Sequence, residues 1–368
     1  MSEWKIRFGT AGTSDSFAAQ GGKTSLDIPE YTAKMGLNAF EYQCGHGVRL
    51  GLDKAAKMAA LAAPKDILFS VHAPYYISMS SLEEDKRLNS VNYLLQSAAV
   101  CRALGGQRVI FHSGSCGKQS REAALEKALD TLRRAQTALD EAGFSDITLC
   151  PETMGKIGQL GTLDEVLELC KVDERITPCI DFGHLNARTL GGIASKADYA
   201  AILDKVEAAL GGARAKRFHV HFSRIEYSAG GEKRHWTFAE TQFGPEPQPL
   251  MELLAERGLE PVIICESAGT QAEDACTMQR LYGEARLRTT SQSGFARQPS
   301  PSGVYTPPPP AGGVFPSRGA SGVSSKLRPT AKTSPIRGGG IAQAMTERFF
   351  RLYKLFLLKP LAKSCGIE

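Results

Sequence analysis

Eight short apolar runs recur along the first 285 residues, at 6–12, 39–44, 67–74, 109–114, 147–153, 176–183, 217–223 and 261–267. Segments that mix apolar and charged positions at helical spacing lie between most of them, the clearest at 90–104, 120–142, 163–169, 199–210 and 248–257. A run of strand length followed by a helix, repeated at a spacing of roughly thirty to forty residues, is the pattern of βα units in a parallel sheet. Eight such units in this length fit a closed TIM (β/α)8 barrel better than an open doubly wound sheet. No Gly-x-Gly-x-x-Gly follows the first run, which removes the usual dinucleotide-binding reading.

The runs end alike. His46, His72, His112, His184, His219 and His221 each lie in or just beyond one of them, His235 lies in the loop after the seventh, and Glu152, Asp181 and Glu266 occupy equivalent places. In a TIM barrel the C-terminal ends of all strands open on one mouth, so these side chains should converge. Imidazoles and carboxylates together suit zinc, with manganese or iron as substitutes. Buried positions rarely choose ionisable residues together, so His72, His112, Glu152, Asp181 and Glu266 are read as functional. Strand 2 ends Glu41-Tyr42-Gln43-Cys44; its only carboxylate is Glu41, and Gln43 offers at most a hydrogen bond. His46 is expected to be a polar loop residue outside the ligand set.

The ordered set His72, His112, Glu152, Asp181-x-x-His184, His219, His235 and Glu266 resembles the endonuclease IV family of apurinic/apyrimidinic endonucleases, within the xylose-isomerase-like TIM barrels; the resemblance covers residues 5 to about 284. It implies two or three zinc ions: Glu152 bridging two, His72 and His112 on the first, Asp181, His219 and Glu266 on the second, His184 and His235 on a third. It implies abasic double-stranded DNA as partner, and a strand break 5′ to the abasic deoxyribose that leaves a 3′-hydroxyl, the incision step of base excision repair. Glu152 is then also the catalytic residue, able to accept the proton of the nucleophile. Tyr75 matches the family's aromatic three residues after the first histidine, and Arg224 and Arg234 are the candidates for phosphate contact at the rim. The stretch from Met154 to Gly161 resembles the family's loop after the bridging glutamate, with Gly-Lys-Ile-Gly as a phosphate-contacting candidate.

This sequence departs from the family pattern in two places. Where the family has Asp-x-His, the chain reads Lys233-Arg234-His235, so the third ion's carboxylate is either absent or supplied by Glu232. The seventh run carries two histidines on one side of the strand; ungapped matching favours His219 and proximity to the strand end favours His221, and both are retained. The first departure also keeps a second function open: a sugar or sugar-phosphate isomerase or epimerase of the same superfamily, working with one metal.

Charge divides the chain. Residues 286–368 hold 13 Lys/Arg against two acids, a balance of +11, which leaves −6 for residues 1–285 out of the chain's +5. Bulk charge therefore does not mark the barrel as a nucleic-acid binder, although two or three divalent cations would cancel much of that deficit locally. From 286 to 340 the composition turns to Ser, Pro, Gly and Arg and is expected to be disordered. Residues 341–368 read as a basic amphipathic helix suited to nucleic acid or an anionic surface, or as a fused sequence without barrel function. Nine cysteines without CxxC spacing read as small core residues of a reducing compartment. No membrane partner is expected for the barrel, no signal-peptide profile is evident at the N-terminus, and the expectation is a cytoplasmic monomer.

Overall fold

A computed structural model describes residues 4–295. The strands are β1 (Arg7–Ala11), β2 (Ala39–Gln43), β3 (Leu68–His72), β4 (Arg108–Phe111), β5 (Thr148–Pro151), β6 (Cys179–Asp181), β7 (His219–Phe222), β8 (Arg224–Ser228), β9 (Gly231–Trp236) and β10 (Val262–Cys265). Eight of these form one parallel sheet in the order β5-β4-β3-β2-β1-β10-β7-β6. Its outer strands meet through a parallel bridge between Glu152 and Cys179, and Thr153 N donates to Cys179 O at 3.0 Å. The result is a TIM barrel, with each apolar run of the sequence supplying one stave.

Helices cover the outside. Those at Glu84–Ala103, Arg121–Glu141, Leu163–Leu169, Lys196–Leu210 and Pro247–Glu256 lie where the helical spacing places them. Two begin at side-chain caps, Ser120 accepting from Ala123 N and Thr162 forming a reciprocal box with Glu165, each worth about 1 kcal/mol. Phe8, Phe182, Phe218, Phe222, Leu254 and Met278 fill the layer between strands and helices. Inside the barrel, Ala39, Val262 and Ile264 form one apolar group and Ile110, Cys150 and Cys179 another. At the N-terminal end Trp4 donates to Glu260 O at 2.8 Å and lies under the Arg108 guanidinium.

Three features differ from expectation. Strand β6 is only Cys179–Asp181, because Asp181 already caps the helix Phe182–Arg188 that follows without a loop. The segment after β7, expected as a loop, is the antiparallel hairpin β8–β9. The last helix, Gln271–Phe295, crosses the compositional boundary at 286, so residues 286–295, expected to be disordered, are helical. The remainder of the linker and the basic segment at 341–368 lie outside the described residues. Burial pushes the Cys44, Cys150 and Cys265 thiols up to about 12, the behaviour of packing residues rather than nucleophiles. No helix of the described residues is long and apolar enough to cross a membrane.

Candidate metal centre

Glu152, fully buried at the end of β5, sits at the centre of the mouth. Two imidazoles face each of its oxygens: His72 Nε2 at 3.1 Å and His112 Nε2 at 3.2 Å from Oε2, His221 Nδ1 and His184 Nδ1 each at 3.2 Å from Oε1. The second side also carries Asp181 and Glu266; potential ligand atoms of Glu152, Asp181, His221 and Glu266 all lie within 4.8 Å of one another. Burial alone would raise the Glu152 carboxyl, but the surrounding imidazoles outweigh it and hold the group well below the carboxylate range.

The imidazoles are held from behind. His72 Nδ1 donates to Ala73 O at 2.9 Å, which leaves Nε2 for Glu152. His184 Nδ1 donates to Thr153 O at 2.9 Å, which turns Nε2 toward Glu232 at 3.4 Å. His235 Nδ1 meets Ser223 Oγ at 2.8 Å, and His221 Nε2 meets Glu41 Oε1 at 3.0 Å. Partners of this kind fix the tautomer and aim of a metal-ligating histidine.

His184, Glu232 and His235 form a separate group with ligand atoms within 4.8 Å of one another. Residues three apart on a strand normally face opposite ways. Here the hairpin register pairs Ile225 with His235, Glu226 with Arg234 and Tyr227 with Glu232, so Lys233 is an extra residue on β9. This bulge restores Glu232 and His235 to one side, and Glu226 on the other takes both Lys233 and Arg234. The hairpin docks on the glycine-rich loop: Ile157 N donates to Gly230 O at 3.1 Å and Glu232 N to Gly155 O at 3.2 Å. Gly231, at φ +89°, has no room for a side chain, since a Cβ would stand 2.2 Å from Gly155 O. Gly231→Ala is therefore expected to displace the hairpin, cost about 1–3 kcal/mol in unfolding free energy, and weaken metal binding at His184, Glu232 and His235 selectively. Chemical denaturation and metal titration of the variant check both parts.

The other sequence candidates fall in different places. His219 lies deeper in the barrel, with Nε2 3.0 Å from Glu41 Oε2, while His221 is the histidine of β7 that reaches Glu152. Burial pulls His219 down to about 4 despite Glu41, so it is neutral. His46 is on the rim, its Nδ1 3.1 Å from the Tyr75 hydroxyl, and Tyr75 is 51% exposed beside it. Arg224, expected to be available to phosphate, is instead buried, donating to both Glu246 oxygens and to Glu240 O. Arg234 is exposed but paired with Glu226 on the hairpin face away from His235. Gln43, Lys156, Gln159 and Glu232 border a cavity of 410 Å³ with His72, His112, Glu152 and Glu266; of these, Gln159 carries no signal of its own as a site residue in the sequence. The glycine-rich loop, read as a phosphate contact through Gly-Lys-Ile-Gly, is clamped through its carbonyls by Arg121 and Arg188 and presents the Lys156 side chain instead.

The donor set fits divalent ions. Asp181 Oδ1 accepts from His184 N at 2.6 Å, but the fully buried Oδ2 has no hydrogen-bond partner. Burial first, then the charges of Glu266 and Glu152, push the Asp181 carboxyl up to about 6 against the pull of His184, so a cation beside it would favour its ionised form. Burial lowers His72, but the hydrogen bond and charge of Glu152 prevail and raise it to about 9. A raised pKa means a proton is held at about pH 7.5 and must leave before the nitrogen can bind metal. Zinc uptake is expected to release protons and to tighten as pH rises toward 9, which calorimetry in buffers of different ionisation heat would register.

Residues 29–283 match the family described as xylose isomerase-like TIM barrel. An uncharacterized protein of Methanocaldococcus jannaschii is 35% identical over 282 residues, 77% of this chain and 98% of that protein. A probable endonuclease 4 of Mycoplasma pneumoniae is 27% identical over 202 residues, 53% of this chain and 65% of that protein. Among solved structures, endonuclease IV from Thermus thermophilus superposes with a TM-score of 0.56 at 20% identity, covering 77% of this chain and 99% of that one. A D-tagatose 3-epimerase-like protein superposes with 0.58 at 20% identity, covering 78% and 100%. At such identities these two establish shared architecture and no more.

Proposed function

The chain belongs to the xylose isomerase-like TIM-barrel family, and from that premise we propose that it is a metal-dependent phosphodiesterase that cleaves DNA 5′ to abasic sites. The observation that carries the proposal is the placement of Glu152, with two imidazoles on each carboxylate oxygen. A carboxylate so flanked is built to lie between two cations. His72 and His112 would hold one with Oε2; His221, Asp181 and Glu266 would hold the second with Oε1; His184, His235 and Glu232 would hold a third. Bound zinc ions would supply a water acidified toward neutrality and positive charge for the phosphate oxygens. Glu152 would accept the proton of the attacking water, a role for which its low pKa state leaves it ionised. Lys156, from the clamped loop, would meet a phosphate, and the exposed Tyr75 would pack against the distorted duplex at the rim.

A sugar epimerase is the second reading, because Glu152, Asp181, His221 and Glu266 alone already make a complete four-ligand set for one ion. His72, His112, His184 and His235 would then have no role, which is why it ranks second. The two separate in one experiment: the zinc- or manganese-loaded chain offered an abasic duplex and, in parallel, ketohexoses. Incision with inert sugars supports the phosphodiesterase; epimerised sugar with an intact duplex sinks it.

A further inference from the structure

We propose that Glu41 is the positioning residue for the ion that His221 faces, a buried carboxylate that sets the tautomer of His221 and strengthens its Nδ1 as a donor. The inference rests on the two-ion reading of the mouth. Among the described residues, the back-side partners of His72, His184 and His235 are neutral: two backbone carbonyls and a hydroxyl. His221 alone of these four is backed by a carboxylate, with Nε2 at 3.0 Å from Glu41 Oε1 and Nδ1 turned to Glu152 and Glu266. An imidazole with a carboxylate at ion-pairing distance from its far nitrogen is a better electron donor at the near one.

Glu41 is itself fixed. It is fully buried, and three further groups converge on it: Ser70 Oγ at 2.8 Å, His219 Nε2 at 3.0 Å and Gln43 Nε2 at 3.2 Å. Gln43 lies on Glu41's own β2, Ser70 on β3 and His219 on β7, so the carboxylate is tied to its own stave and to two others of the barrel. A buried carboxylate without such donors would be very costly, and an acceptor needed only for packing would not need charge. This assigns His219 a task as well. It lies with Ser70 against Glu41 Oε2, while His221 and Gln43 lie against Oε1, so the paired histidines of β7 divide into an anchor and a ligand. The rival arrangement is an ion deeper in the barrel, since ligand atoms of Cys179, His219 and His221 lie within 4.8 Å of one another.

The test is zinc affinity of the full chain against a chromophoric chelator, with Glu41→Gln compared with the parent. Glutamine keeps the shape and one acceptor but removes the charge. The expected result is that one ion weakens by roughly 10–100-fold while ions elsewhere in the mouth keep their affinity; Ser70→Ala, which removes one support of Glu41, weakens the same ion less. Nitrogen-15 spectra of the zinc-loaded parent, which need no variant, should show His221 protonated at Nε2 and metallated at Nδ1. Equal affinity in parent and Glu41→Gln, or His221 metallated at Nε2, overturns the proposal. So does an extra ion lost on Cys179→Ser, because Glu41 would then balance a deeper ion. A parent chain that binds no zinc overturns the two-ion reading along with it, whereas selective weakening without any DNA incision upholds Glu41 and overturns only the phosphodiesterase.

Discussion

Glu152→Gln is expected to lower incision of an abasic duplex by roughly 10³-fold or more while the barrel stays folded. The substitution keeps volume and removes two things at once. It removes the charge that balances four imidazoles, and it replaces one oxygen by an amide nitrogen, which cannot accept from either histidine pair. Whichever way the amide turns, one of the two ions loses a ligand. Single-turnover incision together with metal analysis separates the effects: the variant should retain fewer ions, and restoring zinc to high concentration should recover metal but little rate, since the proton acceptor is gone. Recovery of full rate on metal loading would confine Glu152 to a binding role.

Stripping the metals should be nearly as severe. Glu152, Asp181 and Glu266 share one buried to half-buried mouth with Glu232, and an ion saturated a hundredfold above its dissociation constant contributes about 2.7 kcal/mol of folding stability. Three such ions, at roughly 2 °C per kcal/mol for a domain of this size, correspond to a fall in Tm on the order of 15 °C after chelation. Incision should vanish with the ions and return with zinc or manganese. Glu232→Gln should remove about a third of the Tm shift, because it touches only the group with His184 and His235. A chelated protein with unchanged Tm would mean that the mouth holds no structural ion.

Much of this is legible in the sequence, for a definite reason. A parallel barrel buries its strands on both faces, so each stave is a continuous apolar run, and the polar residues that interrupt such runs at their C-terminal ends can only face the mouth. That argument alone places His72, His112, Glu152, Asp181 and Glu266. What escapes it depends on geometry that no spacing encodes. The choice between His219 and His221 turns on how far up the barrel each sits, since both lie on the same side of β7. Glu232 neighbours the expected position but is out of phase with His235 until the bulge at Lys233 is known. Arg224 looks like a rim cation, yet Glu246, more than twenty residues on in the chain, folds back to pair with it. Glu41 is visible as the one carboxylate of its strand, and only the register that sets it beside Ser70 and beneath His221 gives it a task.

The proposed placement of two ions across Glu152 is tested most directly by the ends of the cleaved DNA. A duplex with one abasic site, labelled on the 5′ side and treated with the zinc-loaded chain, should yield a single product ending immediately 5′ to the lesion, with a 3′-hydroxyl that a DNA polymerase extends. That product requires water attack on the 5′ phosphodiester, the chemistry that two bound ions with an ionised Glu152 would perform on the proposed reading. A product blocked to extension by a sugar remnant, or an intact duplex at every zinc and manganese loading, would contradict it.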